Sequence, residues 1–353
     1  MVSLHLVART LCCVVFVLVG LPFSSDAQLD PLFYNKSCPN LHFIVVKVVL
    51  EASLSDPRIF ASLVRLHFHD CFVQGCDASV LLNNSATIVS EQEALPNNNS
   101  LRGLNVVNDI KTEVEKACPS VASCADILAL AAQASSFLAD GPCWKVRLGR
   151  RDSLTANQTL ANQNLPSPFS TLDQLKAFAS QGLNTTHLVA LSGAHTFGKG
   201  RCFLFVNRLY DFNNTGKPDP TLNIDYLKEL RKLCPQNGTG TNLVNLDPTT
   251  PNKFDKTYYS HLKAGKGLFQ SDQVLFTPNA STIKTILKFR NHENIFFDNF
   301  KIAMIKMGNI GVLTGNQGEI RKQCNFINQK SIEQDIDIVA SKEPSKDGMI
   351  SSI

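Results

Sequence analysis

The stretch that decides the fold reads Arg65-Leu66-His67-Phe68-His69-Asp70-Cys71. If it is helical, Arg65 and His69 stand four residues apart on one face, with Cβ atoms about 5–6 Å from each other and Phe68 beside them. A guanidinium that stays protonated and an imidazole that titrates near neutral pH are then directed at one point. The pair suits an active site that moves a proton and stabilises negative charge together.

Two other interpretations of this stretch stay open at the level of sequence. Arg65 and His69 can be a buried pair that only ties helices together. A metal site made of His67, His69 and Asp70 is disfavoured, because helix positions i and i+2 do not share a face.

A second histidine motif, Leu191-Ser192-Gly193-Ala194-His195-Thr196-Phe197-Gly198, follows about 125 residues later in the chain. His195 alone is a weak signal, but Asp272 can accept a hydrogen bond from its ring and make the other nitrogen a stronger donor to iron. Spacing does not show that the two residues meet. No Cys-x-x-Cys-His occurs, so any haem is expected to be held by ligation and packing rather than by thioethers.

Two sets of oxygen-bearing residues resemble calcium ligands. The first follows the Arg65–Cys71 stretch and comprises Asp70, Val73, Gly75, Asp77 and Ser79; the second comprises Thr196, Asp247, Thr250 and Asp255. Carboxylates, hydroxyls and main-chain oxygens suit Ca²⁺ rather than zinc, although neither set is an EF-hand. An ordinary polar turn is the alternative for each set.

Residues 1–27 have the pattern of a signal peptide. Arg9 precedes an apolar run from Leu11 to Phe23, and Ala27 is a small residue suited to a cleavage site. The run is too short to span a membrane, and no later segment has about 18 uncharged apolar residues. An uncleaved interfacial anchor is the alternative; otherwise a soluble mature protein without a membrane segment is expected.

The net charge is +4, and it stays +4 after cleavage because the leader carries one arginine and one aspartate, Arg9 and Asp26. The positive charges are scattered along the chain, which favours a solvated surface over nucleic-acid binding. Weak attraction to acidic cell-wall polysaccharide stays open.

Eleven cysteines include Cys12 and Cys13 of the leader, so nine remain, and one thiol is left over if the others are oxidised after secretion. Spacing leaves the pairing open, although Cys71 and Cys76 are close enough to close a tight loop. Eight Asn-x-Ser/Thr sites mark surface loops available for glycans in a secreted protein. They begin at Asn35, Asn83, Asn98, Asn157, Asn184, Asn213, Asn237 and Asn279.

About 300 residues between Gln28 and Asn328 have mostly helical periodicity and almost no strand-like alternation. The spacing predicts helices over Leu41–Ser55, Pro57–Asp70, Leu104–Cys118, Ser123–Ala139, Thr171–Gln181, Asn223–Leu233 and Asn294–Met307. No linker divides the region, so it is either one large helical domain or two lobes around a shared cleft. Residues 329–353 are predicted to be a disordered tail or a removed propeptide.

With these motifs in register, residues 28–328 closely resemble the secretory plant peroxidases, class III of the haem peroxidase superfamily. The resemblance is carried by Arg65–Cys71, Gly75–Ser79, Ser123–Asp126, Leu148–Asp152, Leu191–Gly198 and Phe254-Asp255. It implies a mostly α-helical, two-lobed, disulfide-stapled fold with one non-covalent haem b between the distal and proximal halves. His195 would be the axial ligand of the iron, Asp272 its hydrogen-bond partner, and Pro166 a neighbour of the reducing-substrate channel.

The resemblance also assigns the distal residues. His69 would be the acid–base catalyst, Arg65 the distal cation and Phe68 the wall of the pocket, while Asn97 would fix the tautomer of the distal histidine. The implied distal Ca²⁺ ligands are Asp70, Val73, Gly75, Asp77 and Ser79, with Glu91 acting through water. The implied proximal ligands are Thr196, Asp247, Thr250, Lys253 (main-chain oxygen) and Asp255. The implied disulfides are Cys38–Cys118, Cys71–Cys76, Cys124–Cys324 and Cys202–Cys234.

Three residues depart from the family pattern. Cys143, next to Trp144, is the leftover cysteine and is either buried and inert or open to adduct formation. Leu246 stands near the proximal histidine where an aromatic residue is frequent, so the haem potential can differ. Leu204 replaces a possible aromatic residue at the substrate channel, so donor preference can differ.

The function implied is a secreted, monomeric haem peroxidase that reduces H₂O₂ to water and oxidises phenolic donors by one-electron steps, in the response to oxidative stress and in lignin or phenol metabolism. The alternative is a catalytically silent secreted glycoprotein that binds haem or cell wall. A secreted metallohydrolase would need a zinc site that the sequence does not supply. The donor stays open, as does a vacuolar destination if the tail is a sorting signal.

Overall fold

The structure is a computed structural model and describes residues 29–179 and 182–329. The predicted leader, the predicted tail beyond residue 329 and the end of the helix predicted over 171–181 lie outside the described residues. Within the described part, no helix is both long enough and apolar enough to cross a membrane.

Thirteen α-helices and one two-stranded sheet make up the regular structure of the described residues. The helices are α1 (Leu41–Ser55), α2 (Ile59–Cys71), α3 (Leu104–Ala117), α4 (Cys124–Leu138), α5 (Gln158–Asn164), α6 (Leu172–Ala179), α7 (Thr185–Ser192), α8 (Val206–Tyr210), α9 (Ile224–Leu233), α10 (Thr257–Lys263), α11 (Gln270–Gln273), α12 (Ile283–Asn291) and α13 (Glu293–Met307). Strands β1 (Lys199–Arg201) and β2 (Leu243–Asn245) pair antiparallel. The predicted mostly α-helical class is confirmed.

Helix α4 is the centre of the first half of the chain. Every residue from Cys124 to Ser136 is buried, as expected for a helix that is apolar or small on all sides. Its N-terminus is capped by Ser123, whose hydroxyl accepts a hydrogen bond from the amide of Asp126. Helices α1, α2 and α3 pack around it and form one hydrophobic core.

The second half packs around an aromatic core, in which the rings of Phe254, Phe296 and Phe300 lie 4.7–6.0 Å apart between centroids. Gly193 fits against this core only because it lacks a side chain: a Cβ there would collide with the hydroxyl of Tyr259 and the ring of Phe296. The segment that carries His195 is therefore held directly against rigid aromatic packing.

Two of the sequence motifs, Ser123–Asp126 and Leu148–Asp152, connect distant segments of the chain by hydrogen bonds. Asp126 accepts hydrogen bonds from the Tyr34 hydroxyl (2.8 Å) and the Gly149 amide (2.6 Å), and it pairs with Arg150 at 2.7 Å with both charges buried. Asp152 accepts from the amides of Ala125 and Arg321. Removing one partner of such a buried, hydrogen-bonded pair is strongly destabilising, so these motifs belong to the scaffold.

All seven predicted helices are present, and α1 has its predicted bounds. The helices that periodicity did not predict are α5, α7, α8, α10, α11 and α12, and the longest of these has nine residues. Segments so short complete too few turns for a pattern of 3.6 residues to emerge.

The described residues contain four disulfides, and they are the pairs that the resemblance implies: Cys38–Cys118, Cys71–Cys76, Cys124–Cys324 and Cys202–Cys234. The third joins α4 to a segment 200 residues later in the chain. Cys143 is free and exposed, which contradicts a buried, inert thiol.

We expect the mature native protein, without reduction, to release one equivalent of chromophore from a thiol reagent such as DTNB. Cys143 is exposed, whereas the other eight cysteines of the described residues are paired, and Cys12 and Cys13 belong to the predicted leader. The Cys143→Ser variant is the control and should release none. More than one equivalent from the native protein would contradict the four disulfides.

Candidate active site

Helix α2 carries the first half of the site. Arg65 and His69 lie one turn apart in this helix, as their spacing predicts. The ring of Phe68 meets His69 edge to face, with centroids 5.1 Å apart, and packs against Phe72 at 4.8 Å. His67 is buried and lies within 3.8 Å of the sulfur of Cys71 instead. His67 and His69 are therefore on different faces of α2, and their side chains have different neighbours.

The tautomer of His69 is fixed by a short chain of hydrogen bonds. The side-chain amide of Asn97 donates from Nδ2 to the main-chain oxygen of Glu91 (2.7 Å), which turns its Oδ1 towards His69. Oδ1 lies 2.5 Å from Nδ1 of His69 and, as an acceptor, requires the ring proton on Nδ1. Nε2 is therefore the unprotonated nitrogen, free to take a proton.

Burial and the neighbouring Arg65 hold the pKa of His69 well below its usual value, against the opposing hydrogen bond to Asn97. The imidazole is consequently neutral near pH 7, which is the form a general base requires.

Arg65 presents a half-buried positive charge beside this base. Its guanidinium donates to the main-chain oxygens of Pro96 (2.9 Å) and Ser100 (3.1 Å) and to the Ser100 hydroxyl. Burial, with the charge of Arg201, lowers the pKa of Arg65 to about 10, so the group stays protonated near neutrality. A cation held by carbonyls rather than by a carboxylate keeps its charge available to an anion.

The second half of the site is built on His195. Its Nδ1 lies 2.7 Å from Oδ1 of Asp272, which is almost wholly buried, whereas the His195 side chain is 39% exposed. Asp272 is held in turn by the Phe269 amide on Oδ2 and by the Tyr258 hydroxyl on Oδ1. Burial lowers and the Asp272 carboxylate raises the pKa of His195, and the net direction is upward. Nδ1 of His195 therefore donates its proton to the hydrogen bond with Asp272, and Nε2 is left available to bind a metal ion.

Contacts tie α2 and the loop that follows it to the segment that carries His195, and we call the region between these two halves the cleft. Gly198, three residues after His195, packs so closely on α2 that a Cβ there would lie 3.0 Å from that of Ala61. Arg201 donates a hydrogen bond to the main-chain oxygen of Asn99, in the loop that contains Asn97. The charge of Arg65 acts on His195, where it opposes part of the net upward shift of the pKa. These contacts bring the segments of the two histidine motifs, 126 residues apart in sequence, next to each other.

A cluster of buried oxygens directly follows α2. Asp70, Asp77, Ser79 and Glu91 are all buried, and Oδ1 of Asp70, Oγ of Ser79 and Oε2 of Glu91 have no hydrogen-bond partner. Burial, with the mutual repulsion of the carboxylates, raises the pKa of Asp70 well above its usual value, and burial raises that of Glu91 to about 7. Orphaned buried carboxylate oxygens of this kind fit a hard cation.

Gly75 lets the loop between Asp70 and Asp77 close. Its φ is +129°, and a Cβ at this position would collide with the main chain of Gly311. The disulfide Cys71–Cys76 closes the same loop.

A second oxygen cluster adjoins His195. Oδ1 of Asp247 accepts from the amides of Thr249 (2.6 Å) and Thr250 (2.9 Å) and lies 3.0 Å from Nε2 of His261, whereas Oδ2 has no partner. The hydroxyl of Thr250 is likewise buried and unpartnered. Because the hydrogen-bond partners of Asp247 are all on Oδ1, its buried Oδ2 is left free to bind a cation.

The remaining residues assigned to this set lie nearby. The Thr196 hydroxyl donates to Oδ1 of Asp255 at 3.1 Å, and the amide of Lys253 donates to the main-chain oxygen of Thr250 at 3.0 Å. The side chain of Lys253 pairs with Asp140 at 3.6 Å, which leaves its main-chain oxygen as the ligand it can offer.

The residues that the resemblance places near the substrate channel and the proximal histidine are Pro166, Leu204 and Leu246. Pro166 is half-buried in the loop after α5, where the oxygen of Pro168 accepts from the amide of Ser271, next to Asp272. The amide of Leu246 donates to the oxygen of Gly198. Leu204 and Leu246 both pack on the core cluster between α8, α9 and the sheet.

Sequence reasoning missed a group of arginines beside the cleft. Arg102 pairs with Asp56, and burial together with the charges of Arg102 and Arg201 lowers the pKa of Arg58 against the opposing charge of Asp56. Tyr258 and His261 were missed as well. No local signal identifies any of them, because each is brought to its partner by the fold.

Comparison with known proteins decides the family. The family model described as Peroxidase matches residues 45–292, which is well over half of the chain. The chain belongs to the peroxidase family. The matched range includes α2, Asn97, His195, Asp272 and both oxygen clusters.

Relatives from several plants extend this match to most of the chain. Peroxidase 23 of Arabidopsis thaliana is 54% identical over 323 residues, covering 90% of this chain and 93% of that protein. Peroxidase 15 of Ipomoea batatas is 57% identical over 303 residues (85% and 93%), and Peroxidase C1B of Armoracia rusticana is 56% identical over 316 residues (88% and 90%). The predicted class III plant peroxidase is confirmed, and the chain is a haem peroxidase.

Membership of this family implies haem and typically calcium, with H₂O₂ and electron donors as substrates. The catalytically silent alternative is not favoured. A zinc hydrolase is not supported either: in the described part of the chain, the nitrogen–sulfur cluster of metal-binding size is His67 with Cys71 and Cys76, whose sulfurs are bonded to each other.

Proposed function

We propose that this peroxidase uses one haem b held between His69 and His195 to reduce H₂O₂ to water, taking single electrons from phenolic donors. The observation that carries the proposal is His69, a buried, neutral imidazole whose Nε2 is left without the ring proton, one helical turn from a protonated Arg65 and in the half of the site next to the His195–Asp272 pair. This set provides a base, an anion stabiliser and an electron-rich ligand together.

The residues of the cleft fit haem b. His195 offers Nε2 to the iron, while Asp272 fixes the proton on Nδ1 and raises the basicity of the ring. Phe68 lines the distal side. The positive charges of Arg58 and Arg201, of which Arg201 also acts on Arg65, suit the two propionates of the porphyrin.

When bound, haem supplies the iron that takes up peroxide and the electrons that break the O–O bond. Nε2 of His69 accepts a proton from the inner oxygen of peroxide, and Asn97 keeps the ring oriented while it does so. Arg65 stabilises the negative charge that develops as the oxygens separate. His69 then returns the proton to the outer oxygen, which leaves as water.

We further propose that two Ca²⁺ ions brace the site. The distal ion would be held by Asp70, Val73, Gly75, Asp77 and Ser79, with Glu91 through water. The proximal ion would be held by Thr196, Asp247, Thr250, the main-chain oxygen of Lys253, and Asp255. The orphaned oxygens of Asp70, Ser79 and Glu91 and of Asp247 and Thr250 support both assignments.

Donors are proposed to react at the exposed haem edge near Pro166. Lignin alcohols, other phenols and auxin-like molecules are distinguished by assaying each with the purified protein. Secretion to the cell wall is the proposed setting, with the vacuole as alternative, and the protein is proposed to act as a monomer with weak affinity for acidic polysaccharide.

The first test is an absorption spectrum of the purified protein before and after one equivalent of H₂O₂, followed by guaiacol. We expect a Soret band that falls with peroxide and returns with guaiacol, because the base, cation and ligand are all in place. A Soret band that ignores peroxide would favour the silent glycoprotein. Absence of a Soret band after reconstitution with haem would refute the assignment of the cleft.

A further inference from the structure

We propose that Tyr258 is a positioning residue that limits the strength of the hydrogen bond between His195 and Asp272, and thereby sets the reduction potential of the iron. The inference rests on the proposed ligation of iron by His195. It concerns a contact that the sequence motifs do not contain.

The two donors share one oxygen. Oδ1 of Asp272 lies 2.7 Å from Nδ1 of His195 and accepts a hydrogen bond from the Tyr258 hydroxyl at 3.1 Å. Oδ2 is occupied separately by the amide of Phe269 at 3.0 Å. Electron density that Oδ1 gives to the phenol is not available to the imidazole, so the tyrosine weakens the proton acceptor behind the iron ligand.

The phenol is held in place and can only donate. Tyr258 is 3% exposed, its ring stands edge-on to His195 with centroids 6.4 Å apart, and Tyr259 packs against it at 5.2 Å. Burial, with Asp272 and Tyr259 beside it, raises the pKa of Tyr258 well above its usual value. The hydroxyl therefore keeps its proton over the range in which the enzyme would work.

The direction of the effect follows from the shared oxygen. Removing the hydroxyl makes Oδ1 a stronger acceptor, so the His195 N–H bond is more polarised and the ring gains imidazolate character. A more electron-rich axial ligand stabilises ferric over ferrous iron. The potential should therefore fall when Tyr258 loses its hydroxyl.

The experiment compares Tyr258→Phe with Tyr259→Phe in the haem-loaded protein. Tyr259 is the matched control: it is the neighbouring residue, it is equally buried, and its hydroxyl donates to the main-chain oxygen of Val189 at 3.0 Å rather than to Asp272. Both variants lose one buried hydrogen bond, so a general loss of stability would affect them alike.

Two readouts are measured: the reduction potential, by spectroelectrochemical titration, and the iron–histidine stretching frequency of the ferrous protein, by resonance Raman spectroscopy. We expect Tyr258→Phe to shift the ferric–ferrous equilibrium about tenfold towards ferric, which is 59 mV for one electron. The stretching frequency should rise. Tyr259→Phe should leave both near the values of the unmodified protein.

A double-mutant cycle with Asp272→Asn tests whether Tyr258 acts on the iron ligand through Asp272. If Tyr258 acts through Asp272, the effect of Tyr258→Phe should be lost in the Asp272→Asn background. Equal shifts in the two tyrosine variants, no shift in Tyr258→Phe, or an undiminished shift in the Asp272→Asn background would each overturn the inference while leaving His195 as ligand. Absence of an iron–histidine band from the unmodified protein would instead refute the proposed ligation, and the inference with it.

Discussion

The His69→Ala variant is expected to react with H₂O₂ about 10²–10⁴-fold more slowly than the unmodified protein, with haem still bound. The variant loses the free Nε2 that takes the peroxide proton, whereas the proposed iron ligand is His195, on the other side of the cleft. Stopped-flow absorption at the Soret band, at several peroxide concentrations, gives the second-order rate constant. The Soret intensity before mixing reports haem content.

The matched control is His67→Gln. His67 is also buried in α2, but it lies beside the Cys71–Cys76 disulfide, and burial and the charge of Arg150 lower its pKa to about 3. Its loss should leave the peroxide rate within a small factor of the original. A near-normal rate in His69→Ala would show that the proton is taken by another group, and equal losses in both variants would show that the loss comes from disruption of α2 rather than from the missing base.

Chelation of calcium is expected to lower both thermal stability and activity. Without a cation, buried carboxylates such as Asp70 and Glu91 keep orphaned oxygens and repel each other. A site filled at 100 times its dissociation constant stabilises the fold by about 2.7 kcal/mol. Thermal unfolding with EGTA, then with Ca²⁺ or Mg²⁺ restored, measures the change, and Ca²⁺ should reverse it better than Mg²⁺.

The two clusters can be separated by Asp70→Asn and Asp247→Asn. Asp70 follows His69 directly, and Glu91 orients Asn97 through its main-chain oxygen, so the distal variant should slow the peroxide reaction. The proximal variant, next to the His195 segment, should change the spectrum of the iron more than the peroxide rate. Unchanged stability in EGTA together with unchanged variants would count against both calcium assignments.

The sequence was most informative where contacts are local. Arg65 and His69 are one helical turn apart, so their shared face follows from helix geometry alone. The oxygen cluster after α2 is likewise contained largely in the ten residues from Asp70 to Ser79. The bounds of long helices such as α1 were predictable for the same reason.

Long-range contacts could not be derived from spacing. His195 and Asp272 are 77 residues apart, and only the packing of the segment before His195 against the aromatic core brings them together. The orienting role of Glu91 towards Asn97 uses a main-chain oxygen, which every residue possesses and no motif records. Tyr258 has no distinguishing neighbourhood in sequence, so its contact with Asp272 emerged only from the fold.

The Cys124–Cys324 disulfide imposes an order of events on a chain made from its N-terminus. Cys124 has to wait for nearly the whole domain to be synthesised, whereas Cys143 emerges 19 residues after it. Closing that shorter loop costs about 2 kcal/mol less chain entropy than closing the native one of 200 residues. The spare thiol of Cys143 can therefore compete for Cys124 while the chain is being made, and a Cys124–Cys143 bridge would have to be resolved by thiol exchange before the native bridge could form.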